Sequence, residues 1–252
     1  MNIGFVGVPP LDLIEKYEKA FPQTQWFDLD VPRNEINKKN SMLYLPDTTC
    51  SVIQTVLANI MEIKPSILIA TSGACKCDSM RFLLPIIKRV LPSTEIVECV
   101  NNDTRDFGYP ICESGLPLIQ KFEMITENVI NTVTKWGLGS TTKHLLEKTK
   151  PVAGFWGVPP FDFSILKLFP DNTHVFGWTR CMENKTPHNL ELELYVRPGL
   201  PTIFFSQAFC QKNILAKELA NIHKGLYVEV DGAMDKSSKA KIMAFLELKN
   251  CY

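Results

Sequence analysis

Residues 65–81 read PSILIATSGACKCDSMR, and the fold predicted for this chain follows from them. Ile67–Ala70 is a short unbroken apolar run, which is typical of a strand buried on both faces of a parallel sheet. Two thiols, Cys75 and Cys77, follow in the turn before a helix predicted from Ser79. Ligands of open α/β sheets bind at the carboxyl ends of the strands. This turn is therefore a candidate site, with small cysteines filling a tight turn as the alternative.

Two segments that lie 150 residues apart are closely similar. Gly4–Leu13 reads GFVGVPPLDL and Gly154–Phe163 reads GFWGVPPFDF, so seven of ten residues are identical. Residues 67–77 have a weaker counterpart in Thr202–Cys210. Several matches in the same order predict two structurally similar halves.

Strands alternate with helices along both halves, which predicts parallel sheets. We therefore predict an α/β fold of two pseudo-repeated Rossmann-like units with a cleft between them. The glycine-containing segment 137–142 is the predicted linker, which gives units of residues 1–142 and 143–252. Locally, Asp47 is predicted to cap a helix from Thr49 to Ile63, and residues 179–184 are predicted to form a turn.

The charge balance excludes several classes of partner. Lys and Arg total 27, as do Asp and Glu, so no excess of one sign favours nucleic acid or an anionic membrane. The first residues lack the basic segment and long apolar run of a signal peptide, and no apolar run has bilayer length. These features predict a cytoplasmic protein.

The eight cysteines have the most chemically reactive side chains in such a protein. Structural disulfides are rare in a reducing compartment. No C-x-x-C pair is present, and the four histidines form no H-x-x-x-H pattern, so a zinc site is not indicated. Scattered thiols near strand ends suit an iron–sulfur cluster, while several of the eight are expected to be ordinary core residues.

The pair Cys77-Asp78 precedes a predicted helix, and Cys50 lies at the start of the preceding one. With several other short matches, these residues resemble the iron–sulfur subunits of the 2-hydroxyacyl-CoA dehydratase and benzoyl-CoA reductase family. That family carries a Cys-Asp pair that opens a helix, as in Cys77-Asp78 here, and a cysteine that opens the preceding helix. The chain is shorter than typical members, and the matches are spread over most of it: Val8–Ile14, Leu45–Cys50, Cys77–Arg81, Trp178–Cys181 and Ala208–Cys210.

The resemblance implies an oxygen-sensitive [4Fe-4S] cluster held by three thiolates from separate turns, with the fourth iron site open. Carried over to this sequence, the three metal ligands are Cys50, Cys77 and Cys210, with Cys75 and Cys181 in reserve. The resemblance further implies low-potential electron chemistry on a small-molecule substrate such as an acyl-CoA. It also implies an ATP-dependent activator and a related second subunit as partners.

Hydrogen-bond donors near the thiols are candidates for binding the cofactor. Thr71, Ser72 and the backbone amides that open the Ser79 helix are predicted to donate to cluster sulfurs. Of these, Ser72 is the cofactor-binding side chain that we single out.

Two other functions fit the same thiols. A racemase resembling the aspartate/glutamate racemases would use Cys75 or Cys77 with Cys210 for proton transfer, although the usual Cys-Asn-Thr and Cys-Thr-His triplets do not occur. A non-catalytic bilobal protein would hold a metal, a cluster or a tetrapyrrole in its cleft.

Polar residues in two further turns are weaker candidates. The turn with Asp103, Arg105 and Asp106 either forms a surface ion pair or lines the cleft after a strand. Glu183 and His188 lie close to Cys181 and either do acid–base work or belong to a solvated loop.

Overall fold

The computed structural model describes residues 1–33, 38–73, 76–130, 146–230 and 233–252. The chain divides into two compact units. The first comprises Met1–Thr104 with Lys185–His188, and the second comprises Arg105–Asn184 with Asn189–Tyr252. The predicted boundary at residues 142 and 143 lies outside the described residues.

The first unit contains one four-stranded sheet in the order β2-β1-β3-β4, and all of its strands run parallel. A 3₁₀ helix at Lys38–Leu43 precedes α2. The elements in chain order are β1 (Asn2–Val6), α1 (Leu11–Ala20), β2 (Gln25–Asp28), α2 (Ser51–Ile63), β3 (Ile67–Thr71), α3 (Asp78–Val90) and β4 (Glu95–Cys99).

The core of the first unit lies between the sheet and the helices α2 and α3. All five residues of β3 are buried, as its unbroken apolar sequence predicts. Leu57 and Ile60 on α2 and Leu83 and Ile87 on α3 pack into one cluster with the sheet residue Leu68. Burying each such side chain stabilises the unit by about 1.5–3 kcal/mol, which holds both helices against the same face.

The second unit contains a sheet in the order β6-β5-β7-β8, again with parallel strands throughout. A 3₁₀ helix occupies Phe163–Leu168. The elements in chain order are α4 (Leu118–Glu127), β5 (Ala153–Trp156), β6 (Thr173–Phe176), α5 (Trp178–Asn184), α6 (Leu190–Leu194), β7 (Thr202–Gln207), α7 (Lys212–His223), β8 (Leu226–Val230) and α8 (Lys236–Leu248).

The two sheets share one topology, which confirms the predicted fold class of two pseudo-repeated parallel α/β units. Gly4 in β1 pairs with residues of β2 and β3, and Gly154 in β5 pairs with residues of β6 and β7. The two similar segments therefore open equivalent sheets. The cleft predicted between the units stays a prediction.

Strand register shows which thiols are equivalent in the repeat. Gly4 pairs with Leu68 and Gly154 pairs with Thr202, so these two strand residues correspond. The N-cap residues of the following helices, Cys77 and Gln211, then also correspond. Cys210 lies one position before that cap and corresponds to Lys76, not to Cys77.

The predicted turn at residues 179–184 is wrong, because these residues belong to α5. All six of them are buried, including the charged Arg180 and Glu183. A helix that is buried all round lacks the polar face by which amphipathic helices are recognised in a sequence. Within the described residues, no helix combines the length and the apolar character needed to cross a membrane.

Candidate functional site

The carboxyl edge of the first sheet brings together the segments that follow its four strands. In the order β2-β1-β3-β4, the chain leaves β1 toward one side of the sheet and β3 toward the other. Such a reversal of strand order is where ligands of open α/β sheets bind. Here it brings Gly7 beside Thr71 and Lys76.

Cys50 and Cys77 occupy matching positions on neighbouring helices. Each is the N-cap residue of its helix, with extended backbone, and neither side chain caps its own helix by a hydrogen bond. Both are half-buried, form no disulfide and pack against the same core cluster. The two helices, α2 and α3, also contact each other. The first-turn N–H groups and the helix dipole stabilise negative charge that is placed at such a position.

Both helices begin within two residues of their predicted starts, at different N-cap residues from those expected. Cys50 caps α2, where Asp47 was expected to cap a helix from Thr49. Cys77 caps α3, which begins at Asp78, one residue before the predicted Ser79. Both thiols therefore lie at the helix ends themselves. Cys75 lies outside the described residues.

Ser72 continues the pairing of β3 with β4. Its backbone N–H donates to the carbonyl oxygen of Cys99 at 2.7 Å, and its hydroxyl lies 3.4 Å from the same oxygen. The Cys99 thiol in turn lies 3.8 Å from the carbonyl oxygen of Ala70, and burial raises its pKa. The cofactor-binding role of Ser72 stays a prediction.

Two carboxylates and a lysine, which sequence reasoning missed, lie at the same edge. Gly7 N–H donates to Asp30 Oδ2 at 2.6 Å, and Asp30 N–H donates to Asp28 Oδ1 at 2.9 Å. A β-carbon at Gly7 would collide with Lys76 Nζ. The signal in the sequence is positional, because Asp28 ends β2 and Asp30 lies two residues beyond it.

The pKa values of these carboxyls reflect their enclosure. Burial raises the pKa of Asp28 well above its usual range, and the neighbouring Asp30 raises it further. Burial also raises the pKa of Asp30, although Lys76 and the hydrogen bond from Gly7 act in the opposite direction. The lysine therefore lessens the cost of placing two carboxylates side by side.

The corresponding edge of the second sheet contains Cys210. This residue is half-buried, forms no disulfide and precedes Gln211, the N-cap of α7. Beside it along the chain, Gln207 Nε2 donates to the carbonyl oxygen of Pro159 at 3.1 Å. The loop after β5 and the end of β7 are thereby joined.

The other thiols of the second unit differ in environment from Cys50 and Cys77. Cys181 is buried, and its thiol lies 3.8 Å from the carbonyl oxygen of Asn189. Burial, with a further contribution from Glu193, raises the pKa of Cys181 to about 12. Cys112 and Cys251 are also buried, so these three residues are core thiols that stay protonated at neutral pH.

The predicted metal ligands are therefore divided between the units. Cys50 and Cys77 belong to the first unit and Cys210 to the second. Within the parts of the chain that the structure describes, no group of three or more His, Cys, Asp or Glu side chains is placed to hold a metal ion. Cys50 and Cys77 lie at the N-termini of two helices that contact each other.

The weaker polar candidates have structural partners. Glu183 accepts hydrogen bonds from the backbone N–H groups of Ile111 at 2.6 Å and Cys112 at 2.8 Å, so it anchors a loop instead of lying in solvent. Asp106 accepts from the N–H of Gly108 in a tight turn. These contacts give both residues a structural role.

No family model matches the sequence, and no curated protein does. Among solved structures, MenH from S. aureus is similar at 10% sequence identity and a TM-score of 0.22, over 99% of this chain and 94% of that chain. A likeness at this level carries no argument about fold or function.

Proposed function

We propose that this protein binds a [4Fe-4S] cluster and that Cys50 and Cys77 are two of its ligands. The observation that supports the proposal is that both thiols cap the N-termini of two helices that pack together on one core. Separate turns are the usual source of the ligands of such clusters. Cys210 as the third ligand rests on the family resemblance.

The residues of this edge fit an anionic, sulfur-ligated group. The N-termini of α2 and α3 stabilise an anionic group that is bound there, and half-burial leaves the sulfurs of Cys50 and Cys77 within reach of a ligand. Ser72 and the first amides of α3 are the candidate donors that would tune the group. When bound, the cluster would supply low-potential electron chemistry at an iron site that the protein leaves open.

The wider biochemical setting is proposed from the resemblance to the 2-hydroxyacyl-CoA dehydratase and benzoyl-CoA reductase family. It consists of a cytoplasmic location, a small-molecule substrate such as an acyl-CoA, an ATP-dependent activator and a related second subunit. The catalytic residues are not part of the proposal.

Anaerobic purification and reconstitution, with iron and sulfide analysis and EPR after reduction, test the cluster. We expect the wild type to bind iron, and Cys50→Ala, Cys77→Ala and Cys210→Ala each to lose the cluster. Cys99→Ala and Cys251→Ala are the matched controls and should retain it, with circular dichroism melts to confirm that every variant folds.

A reconstituted wild type without iron would contradict the proposal and favour the two-thiol racemase. Retention of the cluster in Cys210→Ala alone would remove this residue from the ligand set and leave the first-unit pair in place.

A further inference from the structure

The side chain of Lys76 reaches from the start of α3 to the segments that follow two other strands. Lys76 directly precedes Cys77, the N-cap of α3, and is half-buried. Its ammonium lies against Gly7, where an added β-carbon would collide with Nζ. The Gly7 N–H donates to Asp30 Oδ2 at 2.6 Å, so the ammonium and this carboxylate both lie against the same glycine. The segments that follow β1, β2 and β3 therefore meet at Gly7.

Opposite charges hold the lysine in this place. The positive charge of Lys76 acts to lower the pKa values of Asp28 and Asp30, against the larger effect of burial. The ammonium is therefore attracted to both carboxylates. Asp30 N–H donates to Asp28 Oδ1 at 2.9 Å, which fixes the two acidic residues relative to each other. We call Asp28, Asp30 and Lys76 the lysine clasp.

The second unit forms the same kind of sheet without the clasp. Strand register places Gly177 at the position that corresponds to Asp30. Cys210 stands at the position that corresponds to Lys76, one residue before the N-cap of the following helix. The second sheet nevertheless has the same strand order and the same parallel pairing as the first. The fold of a unit therefore does not require the clasp.

The clasp also costs stability, because burial disfavours the charged forms of both carboxyl groups. Departures of this kind from the rules of stable packing are expected at functional sites. The candidate functional residue beside the clasp is Cys77, which follows Lys76 directly. The carbonyl oxygen of Cys77 accepts from the N–H of Met80 at 3.1 Å, so the first turn of α3 begins there. Anchoring Lys76 therefore anchors the residue from which both the helix and the thiol start.

We propose that the lysine clasp positions the thiol of Cys77 at the carboxyl edge of the first sheet. Its three members act through the backbone at the start of α3 and are positioning residues. A thiol that is already held in place binds a metal more tightly, because less has to be ordered on binding. The inference deepens the proposed function and rests on it, since the position of Cys77 matters for binding only if this thiol is a ligand.

Alkylation of the metal-free full chain tests the position of Cys77 without any cluster. A short pulse of iodoacetamide at a fixed pH, followed by isotope-labelled iodoacetamide in denaturant, gives the reacted fraction of each cysteine by tandem mass spectrometry. We expect Lys76→Met and Asp30→Asn each to raise the Cys77 rate at least about threefold, because the released helix start opens more often. Cys50, the N-cap of α2, is the control within the same molecule and should keep its rate.

The two substitutions separate an effect of position from an effect of charge. Lys76→Met removes a positive charge and Asp30→Asn removes a negative one, so an electrostatic effect on the Cys77 thiol would shift its rate in opposite directions. Loss of position raises the rate in both variants. The double variant should react no faster than the faster single variant, because both changes break one clasp. Lys88→Met, at an exposed lysine in the last turn of α3, is the matched control and should change neither thiol.

Iron release connects the clasp to the proposed cluster. After anaerobic reconstitution, Lys76→Met should lose iron to a chelator several-fold faster than Lys88→Met, because one ligand is held less firmly. A wild type that binds no iron would overturn the cluster itself. The alkylation rates of the metal-free chain would still decide whether the clasp positions Cys77, so the two failures are distinguishable.

An unchanged Cys77 rate in both folded single variants would overturn the positioning role. So would opposite shifts in Lys76→Met and Asp30→Asn, or a parallel rise at Cys50, which would show general loosening of the first unit. Equal iron release from Lys76→Met and Lys88→Met would overturn the role of the clasp in metal binding.

Discussion

At the residue scale, Asp28 makes the stability of the first unit depend on pH. Because its pKa is raised in the folded protein, the unfolded chain loses this proton first as the pH rises. The destabilisation of the folded state by Asp28 is therefore absent below about pH 4. It grows as the pH rises toward the folded-state pKa and is constant above that pKa.

Asp28→Asn should accordingly raise the free energy of unfolding at pH 7, with little change at pH 4. The amide oxygen can still accept from Asp30 N–H, so the hydrogen bond is preserved while the charge is removed. Urea denaturation at both pH values measures the difference. Asp47→Asn, at an exposed position, is the control, and an equal effect at pH 4 and pH 7 would contradict the assignment.

Gly7 is a second residue whose surroundings make a clear prediction. Its φ is +77°, and an added β-carbon would meet both Lys76 Nζ and Thr71 Cβ. Gly199 has nearly the same φ, +75°, but open space around the equivalent position. Gly199→Ala therefore reports the backbone strain alone, about 1 kcal/mol.

Gly7→Ala should cost more than Gly199→Ala, by roughly a further 1–2 kcal/mol, because a buried collision adds to the strain. Thermal or urea melts of the two variants provide the comparison. Equal losses would show that Lys76 moves away from Gly7 without cost.

At the scale of secondary-structure elements, α2 and α3 each begin after an N-cap residue that stabilises a helix poorly. Serine caps helices much better than residues whose side chains accept no hydrogen bond from the first turn. Cys50 and Cys77 form no such bond, whereas Asp235 caps α8 by accepting from Ser238 N–H at 2.8 Å. The thiols therefore occupy cap positions without stabilising the helices as caps do.

Cys77→Ser should stabilise the cluster-free protein by about 0.5–1 kcal/mol while removing its capacity to bind iron. Cys50→Ser should behave in the same way. Cys251→Ser, at a residue that is 3% exposed, should destabilise instead, because it buries a hydroxyl. Urea melts of the metal-free variants decide the point. A loss of stability in Cys77→Ser would assign this thiol to core packing.

At the scale of the whole molecule, the first unit is not continuous in sequence. The chain leaves it at Thr104 and contributes Lys185–His188 to it later. The buried Asn101 links these parts, since its Nδ2 donates to the carbonyl oxygens of Val8 and Lys185, both at 3.1 Å. A fragment that ends at residue 142 would lack one of these acceptors.

Asn101→Ala should lower the free energy of unfolding of the full chain by about 1–3 kcal/mol, because buried carbonyl groups lose their donor. The exposed neighbour Asn102 provides the matched control, and Asn102→Ala should change stability by less than about 0.5 kcal/mol. Denaturant melts measure both. Similar losses of stability in the two variants would show that the Asn101 side chain does not hold Lys185–His188 in the first unit.

The sequence by itself determined the fold class, the repeat and the position of the thiols. Apolar runs such as Ile67–Ala70 are local signals, and the spacing of Gly4 and Gly154 is visible in one dimension. A turn between a strand and a helix places its residues at the carboxyl edge of the sheet in any parallel α/β unit. Cys50 and Cys77 could therefore be assigned to helix starts within two residues.

Only the tertiary structure decided which distant side chains meet. Asp30 contacts Gly7, and Glu113 contacts Arg180, across 23 and 67 positions that no periodic pattern connects. The same holds for the short return of the chain to the first unit and for the helix at residues 178–184, whose polar residues are buried. Local propensity acts over a few residues, whereas the enclosure that shifts a pKa or leaves a donor unpaired comes from atoms that folding brings together.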